Sequence, residues 1–382
     1  MIKMVRKNYL MTPGPAPVPI DILLAGAQDT IHHRTPQYLE IQKKALEGAK
    51  VLFQTSNDVM LMSSSGTGAM ETAVSNLVNP GDKVIVINSG KFGERWLKLC
   101  KTFGANIVEE KLDWGVAIQP ERLSALLKEH PDTKIVFTQL NETSTGGRQP
   151  VKELAAITRN TDTLIVVDAI SGLLAMELKM DEWGVDVVIT GVQKGFMMPP
   201  GVALISLNER AWKAVENCKT PRFYFDLRQY KKNYPDSPWT PPINLIYQLE
   251  RAVEMLLKEG IENIWARHEL LAQATRAAVQ ALGLKLYAKD PGNVLTSVCM
   301  PENISSSKII KMLRDDWGVV FADGQDDVKG KIARIAHLGY MSQFDIITAI
   351  AALEMGLAKF GYNVELGKGV RAAQEVFMKA GI

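Results

Sequence analysis

Apolar residues along this chain come in short, dense blocks separated by polar and turn-forming residues. "DVMLMSS", "KVIVIN", "KIVFTQL", "TLIVVDAI", "DVVITGV" and "VALISL" are nearly continuous apolar runs, and "NIVEEKL" is a more polar one. Runs of this length bounded by turn residues predict buried strands. Between them, "GAMETAVSNLV", "FGERWLKLCKTFG", "QPERLSALLKEH" and "VKELAAITRN" place apolar residues at helical spacing. Strands alternating with helices predict an α/β fold around a mostly parallel sheet. A further helix is predicted after His33, over "TPQYLEIQKKALEGAKVLF". The alternation breaks in the aromatic and Pro-rich stretch "PRFYFDLRQYKKNYPDSPWTPPIN". A long helical region is predicted next, over 244–282. The tail then mixes strands ("VLTSVCM", "KIARIAHLG") with helices ("SSKIIKMLRDDWG", "QFDIITAIAALEMGLAKFG"). The pattern divides into an arm (1–20), a large α/β domain (21–255) and a smaller C-terminal α+β domain (256–382).

Composition narrows the function without naming it. In 382 residues, 46% are hydrophobic and 23% charged, which suits a globular chain with a core and a cleft. A net charge of +2 provides no basic field for nucleic acid. No apolar run is long enough for a bilayer, and the start lacks the apolar stretch of a signal peptide, so no membrane partner is expected. The three cysteines, Cys100, Cys218 and Cys299, are isolated. They form neither a disulfide framework nor a metal spacing, and a cytoplasmic location is expected. His32 and His33 are adjacent, and no ligand pair at helical spacing exists, so no metal is expected.

Four places could carry chemistry. "SSSGTGAMET" lies where a strand passes into a helix, so small residues and free N–H groups could meet an anion. A tight turn with a helix cap reads equally well there. G-x-G lacks the third Gly of a dinucleotide fingerprint, and the G-K-[ST] of a P-loop is missing. Asp168 ends an apolar strand, where ligands of open sheets bind; it is either a partner for a cation or a structural cap. Lys194 sits in "TGVQKGFMMPPG", also after an apolar strand. Most lysines are solvated. A desolvated one loses its proton more easily and becomes a nucleophile. Arg334, in the alternating "KIARIAHLG", is either a fork for a carboxylate or one half of an ordinary ion pair.

A carboxylate, a lysine after the next strand and an anion loop match the needs of pyridoxal 5′-phosphate: a pyridinium, an aldehyde and a phosphate. At this point "MTPGPAPVP", "HHRTP", "SSSGTGAMET", "NETSTGGRQP", "VVDAISGL", "GVQKGFMMPPG" and "RIAHLGY" together resemble the class V aminotransferases, in the alanine–glyoxylate and serine–pyruvate branch. The resemblance runs over nearly the whole chain. It implies a fold type I transferase: a mostly parallel seven-stranded sheet in the large domain, and the smaller α+β domain. It implies that Lys194 joins the cofactor as a Schiff base and that Asp168 holds the ring nitrogen. Ser65, Gly66, Thr67 and Gly68 resemble the phosphate loop, and Gln193 a further phosphate contact. Phe92 stands where relatives stack an aromatic on the ring, Ile170 on its other face, and Thr143 near its oxygen. Arg334 resembles the substrate-carboxylate arginine, and Gly14 lines the substrate side. Thr240 resembles a phosphate ligand donated by a second subunit, which implies a homodimer with shared active sites. The implied activity moves an amino group from alanine or serine to glyoxylate or pyruvate by ping-pong kinetics. Rival readings are a broad aspartate transaminase, a cysteine desulfurase, a nucleotide-binding oxidoreductase and a non-catalytic protein that binds the cofactor, the last set against a complete Lys194, Asp168 and Arg334 set. The desulfurase would need a mobile loop cysteine, whereas Cys299 lies in a predicted strand and is expected to be buried.

Overall fold

The computed structural model describes residues 5–382. Its centre is a seven-stranded sheet in the order Val59–Met62, Ala203–Leu207, Val187–Gly191, Leu164–Asp168, Ile135–Gln139, Lys83–Asn88, Asn106–Lys111. Ala203–Leu207 runs antiparallel to both its neighbours, and the other pairings are parallel. Helices cover both faces of such a sheet, so both sets of alternating side chains must be apolar. Val84, Val86, Ile135, Phe137, Val166 and Ile189 join one core, and Ile85, Ile87, Val136, Ile165, Val167 and Val188 join the other. Asn106–Lys111 is the exception because it is an edge strand. Its outer face meets water, and its charges protect the edge.

Helix Pro36–Phe53 starts where expected: Thr35 accepts from Tyr38 N–H, and proline follows at the first helical position. The expected helical region over 244–282 is two helices, Ile243–Glu259 and Ile261–Ala281. Gly260, at φ 83°, breaks them by taking a backbone conformation that other residues resist. The aromatic stretch also contains a short helix, Leu227–Asn233, capped by Asp226, which apolar spacing did not reveal.

The second sheet is antiparallel, in the order Lys285–Leu286, Leu295–Cys299, Ile332–Ala336, Ala322–Asp323. Cys299 ends one of its strands and is half-buried, not buried as expected, because it sits at the rim where that strand leaves the sheet. The N-terminal arm ties the two sheets together. Tyr9–Leu10 pairs in parallel with Val319–Val320, and the Met11 carbonyl accepts from Ala336 N–H at 2.9 Å. Ala16 N–H then donates to the Gln193 carbonyl at 3.0 Å, beside Lys194.

Candidate active site

Parallel strands bring their carboxyl ends to one edge of the sheet, and the loops that follow meet there. Ser63–Ser65 follows Val59–Met62, Phe92 follows Lys83–Asn88, and Thr143 follows Ile135–Gln139. Asp168 is the last residue of its strand and lies in register with Gln139 on one side and Ile189 on the other. Lys194 comes three residues after Gly191. The turn beyond Lys194 is tight: Met197 N–H returns to the Lys194 carbonyl at 3.0 Å, with Met197 at φ 58°.

Lys194 turns its amine inward, where Nζ donates to the Pro13 carbonyl of the arm. A Cβ on Gly14 would collide with the Lys194 side chain, and Gly14 has φ +134°, so only glycine suits both the space and the backbone. Burial pushes the amine down to about 8; Asp168 opposes this, and Arg334 and Arg95 add to it. Burial pushes the Asp168 carboxyl up to about 7. The Ile170 N–H, bonded to Asp168 Oδ1 at 2.8 Å, pulls it back, as do Arg95 and Lys194, while Glu142 raises it. An amine with a weakened hold on its proton therefore shares a site with a carboxylate that needs a cation opposite it.

Ser65, Gly66, Thr67 and Gly68 form the start of helix Gly66–Leu77, with Ser65 at the cap position. The Ser65 side chain makes no cap bond, so the Gly66 and Thr67 N–H groups are free to face an anion, while the Gly68 N–H donates to the Ser65 carbonyl at 2.8 Å. A Cβ on Gly66 would lie 2.6 Å from Ile170 Cδ1, and one on Gly68 would lie 2.6 Å from Ser64 Oγ. The glycines thus keep open a cradle that larger residues would fill. Gln193 Oε1 is buried without a hydrogen-bond partner among the described residues. A phosphorylated, aromatic cofactor fits this set: a cradle of free N–H groups, an unsatisfied amide, a desolvated carboxylate and a desolvated amine.

Thr143 Oγ1 donates to Ser171 Oγ at 2.6 Å. Arg334 reaches across from the second sheet: Nη1 donates to the Thr143 carbonyl at 2.9 Å and Nε to the Asp323 carbonyl at 2.9 Å. Nη2 has no hydrogen-bond partner among the described residues. Burial lowers the hold of the guanidinium on its proton to about 10, against the attraction of Asp323 and Glu142. Gly14, Gly66, Thr67, Phe92, Thr143, Asp168, Ile170, Lys194 and Arg334 are therefore joined by direct contacts or by charge. Thr240 stands apart. It is exposed and makes no hydrogen bond to any described residue. Its neighbour Trp239 donates Nε1–H to the Tyr224 carbonyl at 2.8 Å, stacks on the Tyr224 ring and lies tilted against Phe223. Phe223 is 77% exposed. Phe225, edge-on to Tyr224, reaches the Gly68 end of the cradle.

Sequence reasoning missed three contributors. Arg95 lies one helical turn past Phe92; its Nη1 donates to Thr67 Oγ1 at 2.9 Å, and its Cζ lies 4.7 Å from the Phe92 ring centroid. The spacing in "KFGERW" carried that signal, since residues three apart share a helix face. Glu142 is fully buried and accepts from Phe92 and Gly93 N–H, both at 3.1 Å, capping the helix that bears Phe92. Only its place inside "NETSTG" hinted at this. The Pro13 carbonyl is backbone and left no side-chain signal at all.

The model of the family described as aminotransferase class V matches residues 22–341. The chain belongs to the class V aminotransferases. It is an enzyme of that family, and its cofactor is pyridoxal 5′-phosphate. A protein named "Soluble hydrogenase, small subunit" from Synechococcus sp. (strain PCC 6716) is 41% identical, over 98% of this chain and 99% of that one. The L-aspartate–glyoxylate aminotransferase of Paracoccus denitrificans (strain Pd 1222) is 38% identical, over 97% and 96%. Among solved structures, ureidoglycine–glyoxylate aminotransferase from Bacillus subtilis superposes with a TM-score of 0.94 at 29% identity, covering 99% of each chain. Among the described residues, no helix is long and apolar enough to cross a membrane. No group of three or more His, Cys, Asp or Glu among them could hold a metal ion.

Proposed function

We propose that this aminotransferase moves an amino group from a small amino acid, alanine or serine, to glyoxylate or pyruvate. The observation that carries the reading is Lys194: a desolvated amine at the sheet edge that feels the charges of the Asp168 carboxylate and the Arg334 guanidinium. Glyoxylate as acceptor draws support from the Paracoccus and Bacillus relatives, whose names state it. The donors in those names differ, so the small donor rests on the motifs shared with the alanine–glyoxylate and serine–pyruvate branch.

When bound, pyridoxal phosphate supplies an aldehyde for the amino group and a ring that accepts the charge left by the departing α-proton. The protein's share divides by residue. Lys194, with burial favouring its neutral form, holds the cofactor covalently, then takes the α-proton and returns it. Asp168 would hold the ring nitrogen in its protonated form, its carboxylate staying ionised against burial opposite that charge. Gly66, Thr67 and Gly68, with Ser65 and Gln193, bind the phosphate. Phe92 and Ile170 close on the two ring faces, and Thr143 serves the ring oxygen. Arg334 orients the substrate carboxylate, and Gly14 leaves space beside Lys194 on the substrate side. We assign Thr240 to the phosphate of a second subunit, which makes the active form a homodimer with shared sites. Residues 21–255 then act as the cofactor-binding unit, 256–382 as the unit that brings Arg334, and 1–20 as the arm between them. A cytoplasmic location agrees with three free cysteines.

The test is a donor panel of alanine, serine and aspartate against glyoxylate, pyruvate and 2-oxoglutarate, with the protein's absorbance recorded throughout. Highest turnover with alanine or serine and glyoxylate is expected, with a visible to near-ultraviolet band from the lysine-bound cofactor. Highest turnover with aspartate would reassign the donor, and absence of the band would remove the Lys194 reading.

A further inference from the structure

Arg95 sits on helix Lys91–Thr102, which is anchored at its first turn and at its middle. Glu142 caps its first turn, and Trp96 donates Nε1–H to the Thr138 carbonyl at 3.3 Å while packing on Phe137 at 4.8 Å. From this anchored helix the guanidinium lies against the Phe92 ring and donates to Thr67 Oγ1 at 2.9 Å. It thereby touches the ring-stacking residue and the phosphate cradle at once, two elements that follow different strands. Nε and Nη2 have no hydrogen-bond partner among the described residues, so neither contact is forced by a salt bridge elsewhere.

We propose that Arg95 is a positioning residue of the cofactor site, holding Phe92 in register with Thr67 and keeping a permanent positive charge beside Lys194 and Asp168. This rests on the reading above. The charges facing Lys194 are Asp168, Arg334 and Arg95; those facing Asp168 are Glu142, Arg95 and Lys194. In this group Arg95 acts in one direction on both partners. It favours the neutral amine at Lys194 and the ionised carboxylate at Asp168, the pair of states the reaction needs. A guanidinium suits the task because it is planar, stacks on an aromatic face and keeps its charge.

The experiment uses the full-length apoprotein, the wild type and three variants: Arg95→Met, Arg95→Gln and Arg95→Lys. Limiting acetic anhydride labels amines across a pH series, and mass spectrometry follows Lys194 alone. The midpoint of Lys194 labelling should rise by at least about half a pH unit in Arg95→Met and Arg95→Gln, and stay near wild type in Arg95→Lys. Pyridoxal phosphate titrated into the apoprotein should bind about tenfold more weakly to Arg95→Met, with partial rescue in Arg95→Lys. Should Arg95→Met fail to fold, Arg95→Gln decides, since it keeps a polar side chain but carries no charge. An unmoved midpoint in a folded neutral variant, or an equal rise in Arg95→Lys, overturns the proposal. Borohydride reduction of the wild-type complex separates the two levels: label on a lysine other than Lys194 sinks the site reading itself. Label on Lys194 with an unmoved midpoint sinks only the role of Arg95.

Discussion

The strand ends that carry Asp168 and Lys194 and the segment that carries Thr240 differ in what holds them. Asp168 is clamped within its strand by register with Gln139 and Ile189, and by the Ile170 N–H. Lys194 is clamped by the turn through Met197 and by the arm at Pro13 and Gly14. Thr240 has no such support. It lies exposed beside an aromatic cluster, Phe223, Tyr224 and Trp239, that is itself open to solvent. Chemistry that must be placed to a fraction of an ångström is built on strand ends within one chain. The other region is exposed, and only the proposed second copy would give Thr240 a partner.

The comparison breaks most sharply at Lys194. Lys194→Ala should lower turnover by about 10,000-fold or more, since the variant loses both the covalent anchor and the proton carrier. The visible band of the lysine-bound cofactor should vanish while non-covalent cofactor persists, as gel filtration followed by cofactor assay would detect. Retained turnover would transfer the role to another amine.

Asp168→Asn tests the same strand edge from the carboxylate side. Turnover should fall on the order of 1,000-fold, because an amide lends no charge to the ring nitrogen. Stability should move the other way in the apoprotein. The Asp168 carboxyl, held up near about 7 against an ordinary value of 3.8, binds its proton more tightly folded than unfolded. It therefore costs stability as pH rises from about 4 to 7, and that cost is complete above pH 7. Asp168→Asn should melt above the wild-type apoprotein at pH 8 and no higher than it at pH 4. Equal melting differences at both pH values would contradict the buried-carboxylate account.

Arg334 adds support to the strand-end region from outside it, since it comes from the second sheet but bonds to Thr143 beside the first. Arg334→Ala should reduce kcat/KM about 100-fold, chiefly through KM for both amino and oxo acids. Arg334→Lys should recover little, because a point ammonium does not reproduce the fork. Unchanged KM for both substrates would leave Arg334 as a brace between the sheets.

The same contrast explains what could be read from the chain beforehand. Strand ends announce themselves: "TLIVVDAI" is apolar up to Asp168, and parallel strands must point their carboxyl ends one way. Fold class, sheet edge and the pairing of Asp168 with Lys194 follow from local pattern. The break at Gly260 did not, because one glycine between two amphipathic stretches leaves their apolar spacing intact. The bond of Arg95 to Thr67, Glu142 and the Pro13 carbonyl did not either, although helical spacing did put Arg95 beside Phe92. Each acts through a contact between segments far apart in sequence, Arg95 with Thr67 and Pro13 with Lys194, and periodicity carries no information about such meetings.

The smallest effect concerns Thr240, and it bears most directly on the exposed region. A threonine hydroxyl donates one hydrogen bond to a neutral acceptor, or one charge-assisted bond to a phosphate. Thr240→Ala should therefore weaken cofactor retention about 3- to 10-fold and leave the lysine-bound absorbance in place. The loss should depend on protein concentration, since cofactor held by two chains stabilises their association by mass action. Complementation gives the sharper reading. Lys194→Ala and a second variant with Thr240 replaced by a bulky acidic residue are each inactive if Thr240 faces a phosphate, one for want of the amine and the other by repulsion. In a mixed dimer with shared sites, one site carries both defects and the other neither, so activity should return on mixing toward a quarter of wild type when exchange is random. If both contributions came from one chain, every site would keep one defect, and mixing would restore nothing despite measured subunit exchange. That outcome would make the aromatic cluster around Trp239 an ordinary surface and return Thr240 to solvent.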